Sequence, residues 1–141
     1  MKFWDSSALV PLLTSEPATK SLESLYAADA HLIVWWATPV ECMSGLCRLE
    51  RERGITTREL STAQERLIRL SKSWDEIQPN PRLRDLALRL LRSYPLRAAD
   101  AMQLAAGIVA SEHNSATLPF VCQDNRLAEA AAKEGFQIVA Y

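Results

Sequence analysis

Short, apolar, β-rich runs alternate with segments of helical periodicity, and that alternation limits the fold more than any other feature of the chain. Lys2-Phe3-Trp4, His31 to Trp35, Glu76-Ile77-Gln78, Leu118 to Cys122 and Phe136 to Ala140 read as strands. Ser6-Ser7 opens a helix reaching Leu13, Pro17 begins a second to about Ala28, and Thr38-Pro39 starts a third that stops at Gly54. After Thr56-Thr57, the apolar positions Leu60, Ala63, Leu67, Leu70 and Trp74 keep helical spacing. From Pro81 to Tyr94, Leu83, Leu86, Ala87, Leu90, Leu91 and Tyr94 oppose Arg82, Asp85, Arg89 and Arg92. Ala98 to about Glu112 is apolar on nearly every side, which predicts a fully buried helix, and Asn125 to Glu134 forms another. Strands separated by helices imply a parallel sheet covered by those helices.

With 141 residues and no repeat, low-complexity stretch or linker, residues 1–141 should form one domain with a single sizeable core. No apolar run nears the ~18 residues that cross a bilayer, so no membrane partner is expected. Met1-Lys2-Phe3-Trp4-Asp5 has neither an apolar core nor a cleavage site of a signal peptide, and the expected location is cytoplasmic. Cys42, Cys47 and Cys122 suit reduced thiols in apolar surroundings. Cys42 and Cys47 do not have zinc-knuckle spacing, and His31 and His113 supply no partner pattern. The net charge of −1 conceals an asymmetry: between Arg48 and Arg97, eleven Arg and one Lys face seven acids. A polyanionic partner therefore stays open.

Four acids stand out by position. Asp5 and Asp124 sit where a strand gives way to a helix, at the edge where parallel sheets bind ligands; each alone is equally a natural N-cap. Asp100 begins the most apolar helix. The helix dipole favours an acid there by only ~0.3–1 kcal/mol, whereas burying an unpaired carboxylate costs several kcal/mol. If Asp100 is as enclosed as its neighbours, a metal or an arginine must offset that cost. Glu41 lies in the apolar stretch Val40-Glu41-Cys42-Met43, with Ser44 and Gly45 leaving room beside it; a half-exposed glutamate on an amphipathic helix is the plain alternative. Together the four are hard oxygen donors without His or Cys, which suits Mg²⁺ or Mn²⁺ and not zinc.

The arrangement resembles the PIN-domain nucleases, and in particular the VapC-type toxins of bacterial toxin–antitoxin pairs. The matching stretches are Asp5-Ser-Ser-Ala-Leu-Val, Thr38-Pro-Val-Glu41, Leu96-Arg-Ala-Ala-Asp100-Ala-Met-Gln-Leu-Ala and Phe120-Val-Cys-Gln-Asp124-Asn-Arg-Leu. The resemblance implies a three-layer α/β/α fold with a central parallel sheet of about five strands. It also implies a metal-dependent endoribonuclease held in check by a cognate VapB-type antitoxin. By position, Asp5, Asp100 and Asp124 would bind Mg²⁺ (or Mn²⁺), with Glu41 binding directly or through water. Ser6 matches the hydroxyl beside the first acid and would at most support it. A homodimer or a toxin–antitoxin hetero-oligomer would be the assembly.

The chemistry expected is in-line hydrolysis of an RNA phosphodiester. Neither a Ser-His-Asp or Cys-His constellation nor a glycine-rich phosphate loop is present. Arg82, Arg89 and Arg92 are candidates to track an RNA backbone, with Arg48 at the pocket mouth, seven residues after Glu41; a solvated helix face is the alternative. Trp35 and Trp36 either stack bases or, at a strand end in an apolar segment, pack in the core or against another subunit. A haloacid-dehalogenase pattern fails because Ser7 occupies the position of its second acid, and the marks of a receiver domain are missing. The competing function is a non-catalytic module of the same fold that sequesters a protein or RNA partner.

Overall fold

A computed structural model describes Met1–Tyr141. Four parallel strands, β1 (Lys2–Trp4), β2 (Leu32–Trp35), β3 (Asp75–Ile77) and β4 (Phe120–Val121), form one sheet in the order β3-β2-β1-β4. The helices are α1 (Ser6–Leu13), α2 (Thr19–Ala28), α3 (Thr38–Arg51), α4 (Thr57–Ser71), α5 (Pro81–Ser93), α6 (Ala98–Ala110) and α7 (Asn125–Lys133). No helix is long and apolar enough to cross a membrane.

Alternation along the strands divides the core in two. Phe3, Ile33, Trp35 and Phe120 point to the side covered by α5, α6 and α7, where they meet Leu83, Leu90, Leu104 and Leu127. Trp4, Leu32, Val34 and Val121 point to the other side, against Leu9, Leu22, Cys42, Leu46 and Leu67 of α1 to α4. Because both faces are covered, the strands read as continuous apolar runs. Three layers result, as the resemblance implies.

Two expectations need adjusting. The last strand, Phe136 to Ala140, is reduced to one parallel bridge between Phe120 and Ile138. Phe120 donates its N–H to the Gln137 carbonyl at 2.9 Å, and its own carbonyl accepts from Val139 at 3.0 Å. Since β4 spans only two residues, it offers no longer edge to pair. Nor is α6 buried throughout. Its body from Ala101 to Ile108 is enclosed, apart from half-buried Met102, but Ala98 and Ala99 are exposed and Asp100 is half-buried. The partners of α6 cover its body and leave its first turn at the rim.

The winding order places a crevice. The chain leaves β1 toward β2 and β3, then returns through α5 and α6 to β4 on the far side of β1. Crossovers on opposite faces leave an opening beyond the carboxyl ends of β1 and β4, the usual ligand position in such sheets.

Candidate active site

Asp5 follows β1 directly, and its N–H bonds to the Val121 carbonyl at 2.9 Å, fastening it to the end of β4. Its carboxylate caps α1: Oδ2 accepts from the Ser7 N–H at 2.9 Å and from the Ser7 hydroxyl. The Ser7 hydroxyl in turn accepts from the Gln123 N–H at 2.8 Å, so one serine ties the first acid to the loop carrying the fourth. Asp5 is only 4% exposed. Burial pushes its pKa up to about 6; the Ser7 hydrogen bonds oppose the rise, and the charges of Glu41 and Asp100 add to it.

Glu41 projects from the first turn of α3, half-buried. Its Oε2 accepts from Gln103 Nε2 at 2.9 Å and from the Ser6 hydroxyl at 3.0 Å. Burial raises its pKa, those two bonds lower it, and the charge of Asp100 raises it further. Gln103 is completely buried. Its amide nitrogen also reaches the Thr38 hydroxyl at 3.2 Å, while its Oε1 has no partner.

Asp100 and Asp124 complete the set from the open side. Asp100 reaches back to the Arg97 N–H at a long 3.4 Å. Its pKa is raised by partial burial and by Asp124, against the Arg97 backbone bond and the charges of Arg97 and Arg126. Asp124 is exposed and caps α7 by accepting from the Leu127 N–H at 2.8 Å. Cys122 lies among three of these acids; burial and the charges of Asp5, Asp124 and Asp100 lift its thiol to about 12, which leaves it protonated and inert.

The structure thus brings Asp5, Glu41, Asp100 and Asp124 to one crevice: the charges of Glu41 and Asp100 act on Asp5, that of Asp100 on Glu41, and that of Asp124 on Asp100. It gives none of them an ion pair: the pairs in the chain join Met1 and Lys2 to Asp29, His31 to Asp75, Arg89 to Glu134 and Lys133 to Glu129. As placed, no three acid, imidazole or thiol groups close into a ready-made metal cage. The donor set nonetheless fits a hard divalent cation. Every donor is a carboxylate, the deepest is held against burial without a counter-charge, and water reaches the site from the Asp124 side.

The burial argument shifts from Asp100, which is partly solvated, to Asp5, which is not. Ser6 is beside the first acid in sequence but supports Glu41; Ser7 is the hydroxyl on Asp5. Ser7, Thr38 and Gln103 were not among the residues singled out from sequence. Gln103 carried a signal, being an amide three positions after Asp100 on an otherwise apolar helix.

Arg48 lines a small cleft with Ser7, Gly45 and Gln123, at the edge of the acids. Arg82 and Arg92 are exposed on α5. Arg89 is instead the tie between α5 and α7: it grips Glu134 through two bonds of 3.0 and 2.9 Å, and Tyr94 donates to the same carboxylate at 2.8 Å. Trp35 is buried at 3% exposure, whereas Trp36 is 51% exposed. His31 pairs with Asp75 at 2.7 Å at the start of β2, far along the strand from the acids, and His113 is exposed just past the end of α6.

Two solved structures share this architecture. PAE2754 from Pyrobaculum aerophilum is 20% identical, with a TM-score of 0.65 over 92% of this chain and 83% of that one. FitAcB from Neisseria gonorrhoeae is 17% identical, with a TM-score of 0.61 over 99% and 97%. At such identities the likeness speaks for the fold alone. No curated protein is a match. The family model of the PIN domain matches residues 2–133, a span that takes in all four strands, all seven helices and each of the four acids. On that match the chain belongs to the PIN domain family.

Proposed function

We propose that this protein is a metal-dependent endoribonuclease that acts as the toxin of a toxin–antitoxin pair, with Asp5, Glu41, Asp100 and Asp124 as its reaction centre. The carrying observation is that four carboxylates share one crevice and none has an ion-pair partner. Acids left so, one of them 4% exposed, are held at a cost in stability that a purely structural cap does not explain. PIN domains are generally nucleases, and that family background supports the reading.

Asp5, Asp100 and Asp124 would hold Mg²⁺ or Mn²⁺, with Glu41 holding it directly or through water. Such an ion, when bound, supplies Lewis-acid polarisation of the phosphodiester and an activated water. The chain's own groups do the rest. Ser7 fixes the Asp5 carboxylate against the end of β4. Gln103 and Ser6 keep Glu41 charged and aimed, and Arg48 attracts the RNA backbone to the rim. A partner of antitoxin type suits the groove between α1, α2 and α4, where Leu12, Leu13, Tyr26 and Leu70 lie beside Arg66 and Arg69. That lining fits the apolar face of an amphipathic helix with acidic flanks.

The test is cleavage of labelled single-stranded RNA with and without Mg²⁺. Asp5→Ala and Asp100→Asn should each abolish Mg²⁺-dependent cutting while the metal-free proteins stay folded by circular dichroism. If the acids are helix caps only, Asp5→Ala costs ~1 kcal/mol and cutting persists. A wild type that binds RNA without ever cutting it is a sequestering module.

A further inference from the structure

Resting on the nuclease reading, we propose that Tyr141 is a positioning residue of the metal centre, whose hydroxyl, together with Ser7, clamps the peptide group just before Asp124. The four acids are not held alike. Asp5 is fastened by Ser7 and by the Val121 carbonyl, and Glu41 by Gln103 and Ser6. Asp124 is exposed, and its carboxylate bonds only to the Leu127 N–H of its own helix. Its place therefore depends on the backbone that leads into it.

That backbone has left the sheet. The last pair between β1 and β4 is Trp4 with Val121, and Cys122 and Gln123 belong to no helix or strand. One peptide group joins these two residues, and side chains from distant parts of the chain grip both of its polar atoms. The N–H, on Gln123, donates to the Ser7 hydroxyl at 2.8 Å. The carbonyl, on Cys122, accepts from the Tyr141 hydroxyl at 3.3 Å. The N–H and C=O of a trans peptide point opposite ways, so Ser7 and Tyr141 hold this group from opposite edges.

Register brings Tyr141 there. Ile138 pairs with Phe120, and three residues further along the two segments stand Tyr141 and Gln123. Ile138 packs against one core and Val139 against the other, so the segment that carries Tyr141 is itself anchored. Burial raises the pKa of the phenol and the charges of Cys122 and Asp5 add to the rise, which keeps the hydroxyl protonated and able to donate. A hydrogen bond from a ring 42% exposed adds little to the fold as a whole. A ligand set, however, needs its members held to within ~0.5 Å. With the Tyr141 grip gone, the peptide can swing about its bond to Ser7 and carry Asp124 with it.

The experiment compares the full chain with Tyr141→Phe and Tyr141→Ala. Tyr141→Phe keeps the ring and removes only the hydroxyl. It should weaken Mg²⁺ binding, measured by calorimetry, about tenfold, the low end for residues that orient metal ligands; Tyr141→Ala should weaken it no further. In metal-free Tyr141→Phe the Gln123 amide should exchange with solvent about fivefold faster, as the loss of one hydrogen bond allows. The Phe3 amide, bonded to the Pro119 carbonyl within the sheet, and the urea midpoint should stay where they are. Unchanged Mg²⁺ affinity or unchanged Gln123 exchange in Tyr141→Phe overturns the proposal while leaving the nuclease reading intact. Exchange at Phe3 rising in step with Gln123 also overturns it, making Tyr141 a general brace of the sheet. If Tyr141→Phe matches the wild type and only Tyr141→Ala loses RNA affinity, the ring is an RNA contact and the clamp is refuted. A wild type that takes up no Mg²⁺ defeats the metal reading first, and the clamp with it.

Discussion

Gln103 of α6 donates its amide nitrogen to Glu41 Oε2 of α3 at 2.9 Å, joining helices from opposite faces of the sheet across the carboxylate crevice. The bond favours the charged form of Glu41, which burial disfavours. The other end of the same amide has no partner. Gln103→Met should therefore separate function from stability. Removing an unsatisfied carbonyl offsets the lost hydrogen bonds, so the unfolding free energy from urea titration should change by no more than about 1 kcal/mol. Metal affinity and cleavage should fall about 10–100-fold, as for other residues that orient metal ligands. Mg²⁺ titration by calorimetry alongside cleavage rates checks this, and an unchanged Mg²⁺ affinity refutes it.

Asp5 sets a pH dependence whose sign runs opposite to ordinary acid denaturation. Its pKa is about 6 in the fold against 3.8 for an exposed aspartate. Above pH 6 it is charged in both states, and its burial costs the fold about 3 kcal/mol. Between pH 6 and 4 the folded state takes up the proton first, so this cost fades as pH falls. Metal-free protein should accordingly gain urea resistance from pH 7.5 to pH 5. Asp5→Asn should lose most of that gain and be the more stable protein at pH 7.5. Mg²⁺, which competes with the proton, should raise the melting temperature at pH 7.5 and hardly at all at pH 5. A metal-free wild type that weakens steadily from pH 7.5 to pH 5 contradicts the assignment.

Two arginines distinguish contact with RNA from internal bracing. Arg48 stands free beside Ser7 and Gln123, whereas Arg89 is committed to Glu134 through two bonds. Arg48→Ala should weaken RNA binding and lower its salt slope by about one. Arg89→Ala should leave both unchanged and cost at most about 1 kcal/mol, since the pair is half-exposed at the arginine. Anisotropy across a salt series reads both, and a reversed outcome would move the RNA path from the α1–α3 cleft to α5.

The strands were legible because each is a short apolar run whose alternate residues feed two different cores, as Phe3 and Trp4 show. The positions of Asp5 and Asp124 were legible because β1 and β4 end just before them, at the edge where parallel sheets gather their ligands. What escaped depends on side-chain direction. Ser6 and Ser7 are equivalent in sequence, yet only the first points to α3 and only the second folds back onto Asp5. Spacing placed Arg89 on the polar side of α5, but spacing carries no news of Glu134, 45 residues away. The burial of Asp100 was overestimated because hydropathy averages a helix, while the rim of the sheet exposes only its first turn.

Gly107 pins α6, and with it Asp100 and Gln103, by close approach. A Cβ there would stand 2.9 Å from Phe120 Cε2 and 3.3 Å from Phe136 Cζ. Alanine in a helix interior is worth up to ~1 kcal/mol over glycine, so propensity alone favours Gly107→Ala. The rings cannot easily yield, however: Phe120 stacks on Phe3 with centroids 5.1 Å apart and packs on Phe136 at 5.2 Å. Overpacking a core of this kind costs ~1–3 kcal/mol. The clash should win by about 1 kcal/mol, and relief by sliding α6 would carry Asp100 and Gln103 off their positions. Gly107→Ala should thus lower the urea midpoint modestly and slow RNA cleavage about tenfold without touching substrate. A variant that is more stable and fully active would mean that Phe120 gives way and that α6 is not held by this contact.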